Sequence, residues 1–264
     1  MAARGGADPV APQFIDLAHA LAETAGAIAR RYFRTAIAIV DKPDLTPVTI
    51  ADREAENAMR QLIEREFPAH GIIGEEEGRI RDDAEWVWVL DPIDGTKNFI
   101  SGIPLFGTLI GLAHRGVPVL GVIEQPVLRE RWVGTRGRPS TLNGAPIRTR
   151  ACASLTQATL FSTTPDMFRG EDATRFARLK NQVKLARYGA DCYAYAQLAS
   201  GFIDLVVERD LKPYDYCALV PVIEGAGGVL TDWDGRALDL GSDGRVIAAG
   251  NLALAVASRI ALMG

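Results

Sequence analysis

The sequence predicts an α/β fold, on observations from three parts of the chain. Apolar residues recur at helical spacing over residues 14–33. Runs rich in β-branched residues follow over 86–135 and are separated by Gly and Pro turns, which is typical of an antiparallel meander. From residue 151 onward, strand patterns alternate with helical ones. We therefore expect an N-terminal α+β domain over residues 1–150 and a smaller α/β domain over 151–264.

The composition narrows the class of protein. The chain has 264 residues, is 48% apolar and carries a formal charge of −4. It has no basic surplus for a nucleic-acid backbone and no run of about 18 apolar residues. Residues 1–12 lack the apolar core of a signal peptide. These features predict a cytoplasmic protein without a nucleic-acid or membrane partner, and its three cysteines, which lack CxxC spacing, are expected to be reduced.

Local patterns place the remaining elements. Thr49 and Asp52 have the spacing of a capping box and predict a helix that ends near residue 66. An Asn-Gly pair at 143–144 predicts a tight turn before an edge strand. The second half predicts a charged helix over 172–181, a helix from 185 to about 200, a strand over 203–208 and an apolar helix that ends at 225.

The stretch over residues 86–99 is the most informative part of the sequence. Five apolar residues predict a buried strand that ends at Leu90, after which Pro92 and Gly95 impose a turn. Asp91 and Asp94 flank this turn, and two carboxylates that converge repel each other unless a cation lies between them. Mg²⁺ prefers such oxygen ligands, and the backbone carbonyl of Ile93 is a further candidate.

The same loop offers an anion site. If a helix begins after the turn, the amides of Gly95 and Thr96 are free to donate to a phosphate. The alternative without a functional role is a Pro/Gly turn with solvated acids. The spacing is Asp-x-x-Asp rather than the Asp-x-Asp-Gly-Thr of phosphatases that form an aspartyl-phosphate, so no covalent intermediate is implied.

Asp-Pro-Ile-Asp-Gly-Thr at 91–96 resembles the signature of the inositol monophosphatase superfamily of Mg²⁺-dependent phosphatases. Two further segments are similar to that family: Gly-Glu-Glu at 74–76 and Tyr-Asp at 214–215, with Tyr in place of the usual Trp. The resemblance implies a layered αβαβα sandwich, a homodimer and two or three Mg²⁺ ions, for which Mn²⁺ is expected to substitute. It implies the metal ligands Glu75, Asp91, Ile93, Asp94 and Asp215.

The resemblance also implies a mechanism. Glu75, Thr96 and Asp52 are the expected catalytic residues: water held near Glu75 and Thr96 attacks phosphorus in line, and Asp52 holds the Thr96 hydroxyl. Lys42 falls in a segment that resembles the family's metal-responsive loop. Each residue has a bland alternative: Asp52 as a first-turn acid, Glu75 in a solvated turn, Asp215 as a helix cap and Lys42 as a solvated lysine.

The substrate is predicted from the charge of two acidic residues and from the sequences of three segments. Asp191 and Glu208 lie where the family contacts the leaving alcohol, and two acids there favour a cationic alcohol. The segments at 99–108, 188–195 and 212–215 are similar to the histidinol-phosphate phosphatase branch, which acts in histidine biosynthesis. The expected substrate contacts are Gly95, Thr96, Asp191, Glu208 and Arg187. The alternatives are an inositol-1-phosphate or broad sugar-phosphate phosphatase and, in another class, a binding partner of transcription machinery.

Overall fold

The structure, a computed structural model, describes residues 10–36, 39–41 and 47–264. Lys42 therefore lies outside the described residues. Two short strands, β1 (Ile39–Asp41) and β2 (Pro47–Thr49), pair antiparallel. The helices are α1 (Pro12–Tyr32), α2 (Ile50–Glu66), α3 (Thr96–Ile100), α4 (Glu171–Lys180), α5 (Asp191–Ala199), α6 (Pro213–Tyr216), α7 (Leu219–Gly225) and α8 (Leu252–Met263).

A large sheet of eight strands forms in the first half of the chain. Its strands are β3 (Gly71–Gly74), β4 (Arg79–Ile80), β5 (Trp86–Asp94), β6 (Gly107–His114), β7 (Val117–Gln125), β8 (Glu130–Thr135), β9 (Thr141–Leu142) and β10 (Ala145–Pro146). Their order is β10-β9-β8-β7-β6-β5-β3-β4. Strands β3 and β5 are parallel and the other neighbours are antiparallel. The sheet contains the predicted meander.

A smaller sheet of five strands forms in the second half. Its strands are β11 (Thr159–Ser162), β12 (Leu185–Tyr188), β13 (Leu205–Glu208), β14 (Val229–Thr231) and β15 (Val246–Ala249). The order is β12-β11-β13-β15-β14. The predicted domain division near residue 150 falls between the two sheets and stays a prediction.

Helices cover both faces of each sheet. Apolar residues of α1 and α2, such as Leu21 and Met59, pack on Trp88 and its neighbours on the outer face of the large sheet. Helices α5 and α7 lie between the sheets, because one buried cluster joins Leu198 and Val222 to residues of both. Helices α4 and α8 cover the outer face of the small sheet. This order of layers confirms the predicted αβαβα sandwich.

The structure differs from the sequence prediction in two elements. Strand β5 does not end at Leu90 but continues to Asp94, with a break in register after Asp91. A strand accommodates Pro at such an irregularity. Residues Leu185–Tyr188, predicted as the start of a helix, form β12 and pair parallel with β11, and α5 begins only at Asp191.

Other local predictions are confirmed. The capping box of α2 forms between Thr49 and Asp52. Asn143 and Gly144 both have positive φ, 49° and 83°, as expected of a tight hairpin turn. The three cysteines are unpaired and buried. Within the described part of the chain, no helix is long and apolar enough to cross a membrane.

Candidate active site

Two of the predicted acids are brought together by the parallel pairing of β3 and β5. Gly74 pairs with Leu90, and the amide of Glu75 donates to the Leu90 carbonyl at 3.2 Å. Because the carboxyl ends of parallel strands lie at the same edge of a sheet, the next residues of the two strands, Glu75 and Asp91, are neighbours. The site therefore begins where these two strands end.

The irregular end of β5 directs Asp94 toward the same region. The Asp91 carboxylate accepts a hydrogen bond from the Ile93 amide at 3.1 Å. The Thr96 hydroxyl donates to the Ile93 carbonyl at 3.1 Å, and α3 begins at Thr96, as the anion-site prediction requires. One oxygen of Asp94 accepts the Cys192 amide at 2.6 Å, which ties this loop to the start of α5.

Asp215 reaches the loop from the other side. It lies on α6, where one of its carboxylate oxygens accepts the Lys212 amide at 2.6 Å. Carboxylate oxygens of Asp91, Asp94 and Asp215 all lie within 4.8 Å of one another. The structure thus brings together three of the predicted metal ligands from two separate segments.

The electrostatics of this carboxylate cluster (Asp91, Asp94 and Asp215) favour either protonation or a bound cation. Desolvation raises the pKa of Asp91 well above its usual range, and the charges of Glu75 and the other two aspartates raise it further. Desolvation also raises the pKa of Asp94 well above its usual range, and the charges of Asp191 and Asp215 raise it further. Desolvation and the charge of Glu75 raise the pKa of Asp215 to about 7.

Among the described residues, no ion pair involves any of the three aspartates. Buried like charges of this kind are relieved by a proton or by a cation. An all-oxygen set of carboxylates is the donor chemistry of a hard divalent ion such as Mg²⁺. The residues therefore fit a divalent metal.

A cavity of about 140 Å³ lies beside this cluster and contains both acids predicted to contact the substrate. Asp94 and Asp215 of the cluster line it together with Asp191 and Glu208. Glu208 accepts hydrogen bonds from the Thr163 amide at 2.6 Å and from the Tyr195 hydroxyl at 2.8 Å. Burial nevertheless raises the pKa of Glu208 to about 7.

Asp191 occupies a strained position at the start of α5. Its φ is 44°, in a region that non-glycine residues seldom adopt. Asn98 holds it there, because its side-chain amide donates to the Asp191 carboxylate and, at 3.1 Å, to the Gly189 carbonyl. Gly95 faces Asp191: a Cβ at Gly95 would lie 3.2 Å from the carboxylate oxygen, and its φ of 85° also favours glycine.

Asp52 does not make the hydrogen bond that was predicted for it. Its Oδ2 accepts the Thr49 amide and hydroxyl at 2.8 and 2.6 Å, as the capping box requires. Among the described residues its Oδ1 is buried without a hydrogen-bond partner, and the Thr96 hydroxyl donates to the Ile93 carbonyl instead. Desolvation raises the pKa of Asp52 to about 6. The capping role is present in the structure, and the catalytic role of Asp52 stays a prediction.

Arg187, like Gly95 and Thr96, is a predicted substrate residue that does not line this cavity. It lies exposed on β12, with its guanidinium 5.9 Å from the centre of the Phe161 ring. The misassignment of residues 185–188 as helix explains the difference, since an edge strand of the small sheet projects its side chains differently from a helix. Its contact with substrate stays a prediction.

Sequence reasoning missed three residues that shape the site. Asn98 fixes Asp191, and a buried pair on α2, Glu56 and Arg60, contacts the loop that carries Glu75. The signal for the pair was present, because two charged residues spaced i, i+4 fall among the apolar positions of a helix. Asn98 gave no such signal, since its partners are about ninety residues away in sequence.

Comparisons with known proteins agree with this geometry. The sequence profile of the inositol monophosphatase family matches residues 11–261. The chain belongs to the inositol monophosphatase family. The carboxylate cluster and its cavity are therefore the candidate active site of a phosphatase of this family.

The relatives of this chain bear the names of different activities. The chain is 55% identical over 226 residues to a bifunctional phosphatase IMPL2, chloroplastic, of Arabidopsis thaliana, covering 85% of this chain and 65% of that protein. It is 39% identical over 228 residues to a histidinol-phosphatase of Mycobacterium tuberculosis, covering 84% and 88%. An inositol monophosphatase structure from Zymomonas mobilis superposes with a TM-score of 0.90 at 46% identity, covering 97% of this chain and all of that one.

Proposed function

We propose that this chain is a Mg²⁺-dependent histidinol-phosphatase that hydrolyses L-histidinol phosphate to L-histidinol and phosphate in histidine biosynthesis. The observation that carries the proposal is the pair of acids, Asp191 and Glu208, in the cavity beside the carboxylate cluster. A phosphate bound at the cluster and a cationic amino alcohol in the cavity would match these charges. A neutral polyol donates hydrogen bonds to carboxylates but leaves their negative charge uncompensated.

Asp91, Asp94 and Asp215, with Glu75 and the Ile93 carbonyl, would hold the metal. Bound there, Mg²⁺ supplies a Lewis acid that makes water a better nucleophile and offsets charge on the leaving oxygen. Mn²⁺ is expected to substitute, because it takes the same oxygen ligands. The number of ions belongs to this proposal: two or three.

The chain's own residues would then position the reactants. The amides of Gly95 and Thr96 bind phosphate oxygens, and Glu75 with the Thr96 hydroxyl orients the attacking water. Asp52 positions Thr96: its neighbour Ala51 packs in one apolar cluster with Ile93, and its unpartnered Oδ1 is available to accept the Thr96 hydroxyl. No covalent phosphoenzyme is needed. A homodimer in the cytoplasm is part of the same proposal.

Phosphate release with Mg²⁺ from L-histidinol phosphate and from myo-inositol-1-phosphate tests the proposal. We expect kcat/KM to be at least about a hundredfold higher for histidinol phosphate, or about 2.7 kcal/mol of transition-state discrimination. Asp94→Asn is expected to abolish release of both, whereas Asp243→Asn, at an exposed pair with Arg245 on the small lobe, leaves it unchanged.

Two other results would contradict the proposal. A preference for inositol phosphate would be consistent with a phosphatase but would contradict the proposal that Asp191 and Glu208 select a cationic alcohol. Release from neither substrate would favour the alternative of a binding partner of transcription machinery.

A further inference from the structure

A buried ion pair on α2 has no part in the mechanism described above. Glu56 is completely buried and Arg60 is 8% exposed, one helical turn apart. The Arg60 Nε lies 2.8 Å from the Glu56 Oε1. Burying a pair of charges costs free energy, and apart from Asp52 the other buried positions of this helix are apolar. The further contacts of the two side chains therefore matter.

Both side chains bind the backbone of the loop at residues 75–78. Glu56 Oε2 accepts the Glu76 amide at 2.8 Å, and Oε1 accepts the Glu77 amide at 3.0 Å. Arg60 donates to the Gly78 carbonyl at 2.5 Å, an oxygen that also accepts the Gly74 amide at 2.9 Å. The pair therefore satisfies the backbone of this loop from inside the protein.

No residue of this loop is fully buried. Glu77 and Gly78 are exposed, Glu75 and Glu76 are half-buried, and the segment contains no apolar side chain. Segments held by a few hydrogen bonds rather than by apolar packing open at low free-energy cost. The contacts of Glu76 and Glu77 with Glu56 therefore help to fix the loop that carries Glu75.

The approach of the loop to Glu56 is close enough to constrain the sequence. A Cβ at Gly74 would lie 2.0 Å from Glu56 Oε1 and 2.7 Å from an Arg60 nitrogen. Gly74 is also the residue that pairs with Leu90 and so aligns Glu75 with Asp91. The strand end, the loop and the carboxylate are built to fit one another.

We propose that Glu56 is a positioning residue for the metal site: its carboxylate holds the 75–78 loop so that Glu75 stands beside Asp91 before a metal binds. This inference rests on the proposed function, because it requires that the cluster binds a divalent ion. Outer partners that orient a ligand typically change metal affinity by about 10- to 100-fold when they are removed.

The experiment is a calorimetric titration of the metal-free protein with Mn²⁺. Glu56→Gln keeps the size of the side chain but places an NH₂ group where a loop amide needs an acceptor. We expect Mn²⁺ affinity about 10- to 100-fold below that of the wild type. Glu64→Gln is the matched control, since Glu64 lies on the same helix in an exposed pair with Arg81, and its Mn²⁺ affinity should be unchanged.

The outcomes separate the inference from the proposed function. Wild-type affinity in Glu56→Gln would mean that the pair only stabilises α2, and would overturn the inference alone. No Mn²⁺ binding by the wild type would overturn both. Lower thermal stability together with wild-type affinity in the folded variant also counts against a positioning role.

Amide hydrogen exchange gives a second readout, and its first part uses the wild type alone. In the metal-free wild type, the amides of Glu76 and Glu77 should exchange at least about 100-fold more slowly than in an unstructured peptide. In Glu56→Gln this protection should be lost at residues 75–78 while the amides of α2 remain protected. Unprotected Glu76 and Glu77 amides in the wild type would overturn the inference.

Discussion

The buried Asp204 and the buried aspartates of the carboxylate cluster have pKa values that shift in opposite directions. Asp204 directly precedes β13 of the small sheet and is 1% exposed. Asp91 in the carboxylate cluster is 2% exposed. Asp204 accepts two hydrogen bonds from Arg150, at 2.7 and 2.6 Å, and one from the Thr159 amide at 2.7 Å. Desolvation acts to raise its pKa, but these hydrogen bonds and the arginine charge lower it below the usual value.

Asp91 is equally buried and its pKa is raised, because desolvation is reinforced there by the charges of other acids. The difference is the partner and not the burial. Arg150 already neutralises Asp204, so that acid is part of the structure. Within the described residues no arginine pairs with the carboxylate cluster, which therefore fits a cation from solution, and this is the physical reason to regard it as a site.

Removing the arginine that pairs with Asp204 should produce the largest loss of stability. In Arg150→Met the buried Asp204 carboxylate loses its bidentate partner. We expect the free energy of unfolding to fall by about 2 kcal/mol, less than for a fully buried pair because the Arg150 side chain is 43% exposed. Urea unfolding at pH 7 measures this.

The control for this change is Arg245→Met, which breaks the exposed pair with Asp243 and should cost no more than about 0.5 kcal/mol. Equal losses of stability in the two variants would mean that the pair of Asp204 with Arg150 contributes no more than an exposed pair. The activity per folded molecule of Arg150→Met should stay at the wild-type level.

Removing one acid from the carboxylate cluster should instead reduce the stability that the metal-free protein loses as the pH rises. The folded-state pKa of Asp215 is about 7, above its ordinary value of 3.8, so its contribution is fully present below about pH 4 and is lost as the pH rises to 7. With EDTA present, the wild type should therefore lose more stability between pH 5 and pH 8 than Asp215→Asn does, by about 1 kcal/mol or more.

Asp204 has the reverse dependence, because its lowered pKa makes its contribution present above about pH 4 and lost as the pH falls below that. Urea unfolding of metal-free protein at both pH values measures the effect. An identical pH dependence in Asp215→Asn and wild type would show that the acids of the cluster do not repel one another.

The smallest expected effect concerns the acid at the substrate cavity. The hydrogen bond from the Tyr195 hydroxyl lowers the pKa of Glu208, so Tyr195→Phe should raise that pKa above about 7 and leave less carboxylate at neutral pH. We expect KM for histidinol phosphate to rise about threefold at pH 7 and to recover at pH 9. A kcat loss without a change in KM would assign Tyr195 another role.

The sequence was most informative where the determinants are close together in the chain. The Thr49–Asp52 capping box, the Asn143–Gly144 turn and the loop with Asp91 and Asp94 each span a few residues, so their chemistry follows from spacing. The meander was predictable for the same reason, because its strands are joined by short turns.

Features set by distant segments were not predictable. The placement of Glu75 beside Asp91 needs the parallel pairing of β3 and β5, and the role of Glu56 needs the position of α2 over that edge. Strand β12 was taken for helix because its exposed residues lack alternation, and its pairing with β11 decides its conformation. Strand β5 passes through Pro92 because its register shifts there.

The most direct test of the central claim is a crystal structure of the protein soaked in Mn²⁺, with anomalous scattering used to locate the ion. Our account predicts an anomalous peak bonded to carboxylate oxygens of Asp91, Asp94 and Asp215 in the wild type, and its loss at that position in Asp94→Asn. Anomalous peaks elsewhere, or a cluster that stays empty at saturating Mn²⁺, would contradict it.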